Sequence, residues 1–130
     1  MILSPGLAIL KIVSWDDNIE RRSKDAADLI FIMKNYIAAG NMDRFFEEAD
    51  ILKEEASDYD RSSARFLGRE IARMAGQATK AKLVGILERE AASPQGHKIA
   101  MDVLRQDAFQ QEPYEQVVEY FNALLRGLLY

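Results

Sequence analysis

The stretch LAILKIVSW, residues 7–15, carries apolar side chains around almost its whole helical circumference. Ser4 and Pro5 precede it as a cap residue and a proline at the first helical position, and Asp16-Asp17-Asn18 follows it as a break. Because a helix that is apolar on all sides is normally buried, this stretch predicts a buried first helix that ends near Trp15.

Helical patterns continue along the rest of the chain, with no convincing strand. A second helix is expected from Ser23 to just before Gly40, Asp60 is expected to cap a later helix, and Ser93-Pro94 repeats the cap-plus-proline signal. The remaining helices are expected at about residues 42–55, 60–76, 79–92 and 93–107 and from residue 113 onward. Short loops favour antiparallel neighbours, so residues 1–130 are predicted to form a single all-α domain, a bundle of about six to seven helices.

The composition excludes several classes of site. The chain has 130 residues, 48% of them hydrophobic and 29% charged, which is typical of a globular domain. The absence of cysteine excludes disulfides and thiolate zinc sites, and the single histidine, His97, argues against a histidine metal site or a Ser/His triad. His97 is interpreted as a surface or capping residue. No membrane span or signal peptide is evident, so a cytoplasmic location is expected.

Lys11 is the first residue that simple packing does not explain. Lysine is seldom fully buried without a partner, because an unpaired ammonium loses its hydration without compensation. Either the side chain of Lys11 extends to the surface, or it meets a carboxylate.

Asp25 and Asp28 are the second such feature. Their three-residue spacing places both on one helix face, at the start of the apolar stripe that continues through Leu29. One interpretation is that they favour the helix dipole. The other is that they line a cleft and pair with nearby bases, namely Lys11, Arg21, Arg22 or Lys24.

An arginine row, defined as Arg61, Arg65, Arg69 and Arg73, is the third. On the opposite side of the same helix, Gly68 indicates close approach of a neighbouring backbone. The row either forms salt bridges with the acid-rich residues 41–60 or contacts a phosphate or RNA backbone. The net charge of −4 argues against general nucleic-acid binding.

Residues 7–15 together with residues 21–29, RRSKDAADL, resemble the C-terminal motif of the AbiEii-type nucleotidyltransferase-like proteins. Many of these are toxins of bacterial toxin–antitoxin and abortive-infection systems. The family pattern is a helix with a lysine and a nearby tryptophan, then an arginine, a Lys-Asp step, two residues and Asp-Leu. Residues 60–72 resemble a downstream segment of a subgroup of the same family.

The resemblance implies a larger protein. Such proteins carry an N-terminal α/β core with paired metal-binding aspartates, and a helical C-terminal part closes the nucleotide cleft. Here the one tight Asp-x-Asp, Asp58-Tyr59-Asp60, lies in a predicted turn without that context. The chain is therefore expected to be the C-terminal helical half of a parent enzyme that uses Mg²⁺ and a nucleoside triphosphate, and to be inactive alone.

The resemblance also implies residue roles. Lys11, Asp25 and Asp28 would be catalytic, with the lysine reaching toward the nucleotide and the aspartates orienting the basic groups. Lys24, together with Arg21 or Arg22, would contact phosphate, and no metal ligand would come from this chain. The implied partners are the α/β core and an antitoxin protein, with RNA contact through the arginine row as a further possibility.

A different class of function stays open from the sequence. In that alternative the chain is a non-catalytic helical interaction module. Lys11 and the two aspartates then form only a buried ion pair, and the arginine row binds a protein partner.

Overall fold

In the computed structural model, which describes residues 3–18, 22–48 and 50–130 (only the backbone at position 107), all regular structure is helical. This confirms the predicted all-α bundle. Eight α-helices occur in these residues, and only α3 and α4 are as short as five residues each. The helices are α1 Pro5–Asp17, α2 Arg22–Asn35, α3 Met42–Phe46, α4 Asp50–Glu54, α5 Tyr59–Met74, α6 Gln77–Ala91, α7 Lys98–Leu104 and α8 Tyr114–Leu129, with a 3-10 turn at Asp107–Phe109.

Helices α5 and α8 form the tightest contact of the bundle. An added Cβ at Gly68 of α5 would lie 2.2 Å from the carbonyl oxygen of Leu124, and one at Gly127 of α8 would lie 2.0 Å from that of Arg65. The backbones can touch at this point only because neither residue has a side chain. The expected close approach at Gly68 is therefore confirmed.

Helix α1 packs against α2 with one face. Ala8, Ile12 and Trp15 point into the core, and the indole nitrogen of Trp15 donates a 2.8 Å hydrogen bond to Asp102 of α7. Leu10, in contrast, is 66% exposed. The expectation of a first helix buried on all sides is thus wrong, because the bundle covers only part of its apolar circumference.

The predicted helix over residues 42–55 is also wrong in detail. In place of one helix, the structure has the two short helices α3 and α4, with a turn at Glu47 and Glu48 between them. The interruption places the carboxylate of Glu48 against Arg69 and Arg73 of α5.

Two predicted helix starts lie elsewhere. Asp58, not Asp60, caps α5, because its carboxylate accepts from the Arg61 N–H at 2.9 Å while its own backbone is extended. No helix begins at Ser93-Pro94. Helix α7 begins at Lys98, and the carboxylate of buried Glu90 accepts the backbone N–H groups of its first two residues at 2.8 and 3.3 Å.

Across the residues described, none of the helices combines the length and apolar character needed to cross a bilayer.

Candidate functional site

Lys11, Ser14, Asp25 and Asp28 form a charge cluster where α1 meets α2. The Lys11 ammonium lies 2.8 Å from a carboxylate oxygen of Asp28 and 3.6 Å from one of Asp25. Only 19% of the Lys11 side chain is exposed. The hypothesis that this lysine meets carboxylates of the following helix is therefore confirmed, and extension into solvent as its sole explanation is excluded.

The two aspartates have different environments. Asp25 is buried, and the Ser14 hydroxyl donates a 2.6 Å hydrogen bond to it. Asp28 is one-third exposed and also receives Lys24 at 3.4 Å. Partial burial raises the pKa of Asp28, but hydrogen bonds and charge from Lys11, and then from Lys24, outweigh this and hold the pKa below its ordinary value. Asp28 therefore stays ionised at neutral pH.

A groove of about 700 Å³ opens beside this cluster, and we name it the α2–α7 groove. One wall is the face of α2 that carries Lys24, Asp28 and Phe31, and the other is the segment that follows α7. The complete lining is Lys24, Ala27, Asp28, Phe31, Arg105, Gln106, Ala108 and Phe109. Its size is that of a small-molecule site. Asp28 belongs to both the charge cluster and the groove, so the ion pair of Lys11 borders a ligand-sized space.

Arg22 is engaged away from the groove. Its guanidinium donates to the backbone oxygens of Trp15 and Asp16 at 3.1 and 3.4 Å and lies 5.0 Å from the centre of the Trp15 ring. Arg22 therefore provides hydrogen-bond donors for backbone carbonyl groups at the C-terminal end of α1. Arg21 lies outside the described residues. Of the two expected phosphate-contacting bases that the structure describes, Lys24 lines the groove and Arg22 does not, and the side chain of Lys24 is 63% exposed.

The arginine row forms salt bridges with the acid-rich residues 41–60. This confirms one of the two alternatives that the sequence left open for the row. Arg69 lies 3.0 Å from Glu48, Arg73 lies 2.6 Å from the same carboxylate, and Arg69 also reaches Asp50 at 3.2 Å. In the part of the row near α4, the ion pairs are Arg65 with Glu54 and Glu55, and Arg61 with Glu55 and Asp58. The guanidinium groups thus face carboxylates of their own chain.

Glu55 is the buried centre of this network. Arg65 and Arg126 lie 2.9 and 2.6 Å from its carboxylate. Burial alone raises the pKa of Glu55, but the hydrogen bonds from Arg126 and Arg65 outweigh it and lower the pKa. The sequence indicated the Arg65 side of this network but gave no sign of Arg126, which is 71 residues away along the chain.

The sequence also did not predict the second wall of the groove. Lys24, Ala27, Asp28 and Phe31 share a helix face at spacings of three, four and seven, which could have revealed the first wall. No comparable signal exists for Arg105 and its neighbours, because they meet α2 only through tertiary packing.

The described residues do not fit a metal centre. No group of three or more His, Asp or Glu side chains in these ranges is arranged to hold a metal ion. Asp25 and Asp28 carry a lysine between them, which is the opposite of what a divalent cation needs.

No protein-family model, no curated protein and no solved structure matches this chain.

Proposed function

We propose that this chain is the C-terminal helical domain of a nucleotidyltransferase-like protein and forms one wall of its nucleotide cleft. The observation that carries the proposal is the position of Asp28, whose carboxylate pairs with Lys11 and also lines the α2–α7 groove. An ion pair that serves packing alone has no need to border a ligand-sized space. The domain would be inactive without an N-terminal α/β core.

In this proposal the residues act by position and charge. Asp25 and Asp28 hold the Lys11 ammonium at a fixed place, from which it would face a phosphate of the bound nucleotide. Lys24 adds a second positive charge at the edge of the groove. Nucleotidyl transfer depends largely on such positioning and electrostatic stabilisation, so a lysine and its orienting acids are useful parts.

The remaining parts belong to the parent protein. Mg²⁺ and the nucleoside triphosphate would be bound mainly by the aspartates of the α/β core, which is the main partner. The proposal includes a toxin role with an antitoxin partner, which the family resemblance implies, and the cytoplasmic location expected from the sequence. We do not propose RNA contact through the arginine row, which consists of Arg61, Arg65, Arg69 and Arg73. Phosphates would have to displace the carboxylates already bound there.

The test is nucleotide transfer by the longest protein that contains these residues together with an α/β core. We expect Lys11→Met and Asp25→Asn to lower turnover by at least about a hundredfold, because each removes part of a preorganised charge arrangement. Lys82→Met, at an exposed position on α6, is the matched control and should retain activity. Circular dichroism checks that the helices persist. Wild-type turnover in either cluster variant would contradict the proposed roles.

One observation favours the interaction-module alternative. Leu10 and Met74 are 66% and 59% exposed, and an added Cβ at Gly6 would lie 4.0 Å from the Met74 methyl group, so α1 and the end of α5 share an apolar surface. Such a surface fits a protein partner, and the α/β core of the proposed parent protein is the partner to test first. If Leu10→Lys abolishes association with the core while transfer-deficient Lys11→Met still associates, the surface and the cluster have separate roles. Full turnover in Lys11→Met would favour the alternative.

A further inference from the structure

Gln106 has a side-chain amide whose orientation is fixed by its neighbours. The Ser23 hydroxyl lies 2.9 Å from the backbone oxygen of Asp102, and because a carbonyl can only accept, Ser23 donates its single proton there. The 2.7 Å contact between Gln106 and Ser23 must then have the amide nitrogen donating. The amide oxygen, Oε1, is therefore the end that faces away from Ser23.

This orientation gives the α2–α7 groove a hydrogen-bond acceptor. Gln106 lines the groove, whereas Ser23 is not part of the lining. Ser23 occupies one N–H of the amide, which leaves Oε1 as the acceptor that Gln106 would offer to a ligand in the groove. A ligand group that donates a hydrogen bond is therefore favoured at this point.

The rest of the lining suits a flat ring that is attached to a negatively charged group. Phe31, which is 45% exposed, and half-buried Phe109 present aromatic surface from the two walls. Ala27 and Ala108 also line the groove, and their small side chains leave room for a planar group to approach. The side chain of Arg105 is 73% exposed and pairs with Asp102 at 3.0 Å, and that of Lys24 is 63% exposed and lies 3.4 Å from Asp28. Each places a largely exposed cation at the rim, where a phosphate can approach from the solvent side without displacing the carboxylate. Aromatic faces with flanking cations are the features with which proteins hold nucleobases and their phosphates.

We infer that the α2–α7 groove is a base-binding subsite and that it takes a base with an exocyclic amino group, as in adenine or cytosine. The base lies against Phe31 and Phe109, its amino group donates to Oε1 of Gln106, and its phosphates extend toward Lys24 and Arg105. Hypoxanthine and uracil carry an oxygen in place of that amino group, so two acceptors would face each other. This inference rests on the proposed function and names the ligand part that this chain would recognise.

The experiment is an NMR titration of the isotope-labelled 130-residue chain with two matched nucleotide pairs. ATP is compared with ITP, and CTP with UTP, because each pair exchanges an amino group for an oxo group, with the adjacent ring nitrogen changing from an acceptor to an N–H donor. We expect the amino-bearing member to bind about fivefold more tightly, the typical effect of one partly exposed hydrogen bond. The shift changes should centre on Phe31, Gln106 and Phe109.

Two variants and one ligand control make the test specific. Gln106→Leu removes the acceptor and should equalise each pair. Ser23→Ala keeps Gln106 but frees its amide to rotate, so the preference should shrink while ATP still binds. Inorganic tripolyphosphate should bind more weakly than ATP and leave Phe31 and Phe109 unshifted.

Equal affinities within both pairs, equal binding of tripolyphosphate and ATP, or no binding by any nucleotide would each overturn the inference. None of these results decides the proposed function, which depends on transfer by the parent protein and its Lys11→Met variant. Loss of transfer in that variant combined with equal affinities here would leave the catalytic role and remove the base-recognition role.

Discussion

The side chain of His97 caps the N-terminus of helix α7. Its Nδ1 accepts the Ala100 N–H at 3.3 Å, so the ring is neutral with its proton on Nε2, and its ring centre lies 5.3 Å from that of Phe121. The expected capping role is therefore confirmed, but a surface position is not, since the residue is only 4% exposed. Burial lowers the pKa of His97 below its ordinary value, and the charge of Glu90 offsets this only in part.

This capping contact predicts a pH dependence at the residue scale. Because the pKa is lower in the folded state, the unfolded chain takes up the proton first, and stability is lost as the pH falls below about 6.5. Between about pH 7 and pH 5.5 we expect a loss of up to about 1 kcal/mol, the value of a helix cap, in urea unfolding. His97→Asn keeps a capping oxygen but does not titrate, so its stability should stay flat over that range. An equal decline in both proteins would contradict the assignment.

At the scale of elements, the contact of α5 with α8 depends on two glycines without side chains. Gly127→Ala would place a methyl group 2.0 Å from the Arg65 carbonyl oxygen, and backbone cannot move aside as a flexible side chain can. We expect a loss of about 3 kcal/mol in the free energy of unfolding, measured by urea denaturation, because the helices must separate.

Gly85 is the matched control for that substitution. It lies within α6, is exposed, and has no atom within 4 Å of an added Cβ. Gly85→Ala should therefore stabilise the protein by about 0.5–1 kcal/mol, since alanine favours the helix. If the two substitutions had similar effects, the close approach of α5 and α8 would be wrong.

At the scale of the whole molecule, ion pairs of Asp28, Glu48 and Glu55 join separate helices and turns, and these three carboxylates share one property. Burial raises the pKa of each, and the paired cations outweigh it: Lys11 at Asp28, Arg73 and Arg69 at Glu48, and Arg126 and Arg65 at Glu55. The pKa values are therefore lower in the folded state. Their stabilisation is present above the ordinary carboxyl pKa of about 4.3 and is lost as the pH falls below it.

Glu55→Gln tests the largest of these networks. At neutral pH we expect a loss of roughly 3 kcal/mol in the free energy of unfolding, because Arg65 and Arg126 lose the charge of their shared partner. The variant should also lose less stability than the wild type on acidification below about pH 4.3. Glu88→Gln, at an exposed site on α6, should change neither quantity. An unchanged acid response in Glu55→Gln would mean that other carboxylates dominate.

Local periodicity was enough to predict much of the fold and part of the site. The all-α class and the close approach at Gly68 follow from the spacing of residues a few helical turns apart. The pairing of Lys11 with Asp25 and Asp28 was one of the alternatives that the sequence left open. Helix starts were less predictable where several candidate caps lie close together. Asp58 is the cap, and not Asp60, because the backbone turns at Ala56 and Ser57, with φ of 55° and 62°, and is extended at position 58.

What the sequence determined by itself is the set of amphipathic helices and the charged residues that their faces carry, since these depend on spacings of three and four residues. Tertiary structure alone decided which faces meet. The bond from Trp15 to Asp102 spans 87 residues and the pair of Arg126 with Glu55 spans 71, distances over which periodicity has no information. The second wall of the α2–α7 groove belongs to the same class. It exists only because the packing of α2 against α7 brings Arg105, Gln106 and Phe109 to the face that carries Asp28.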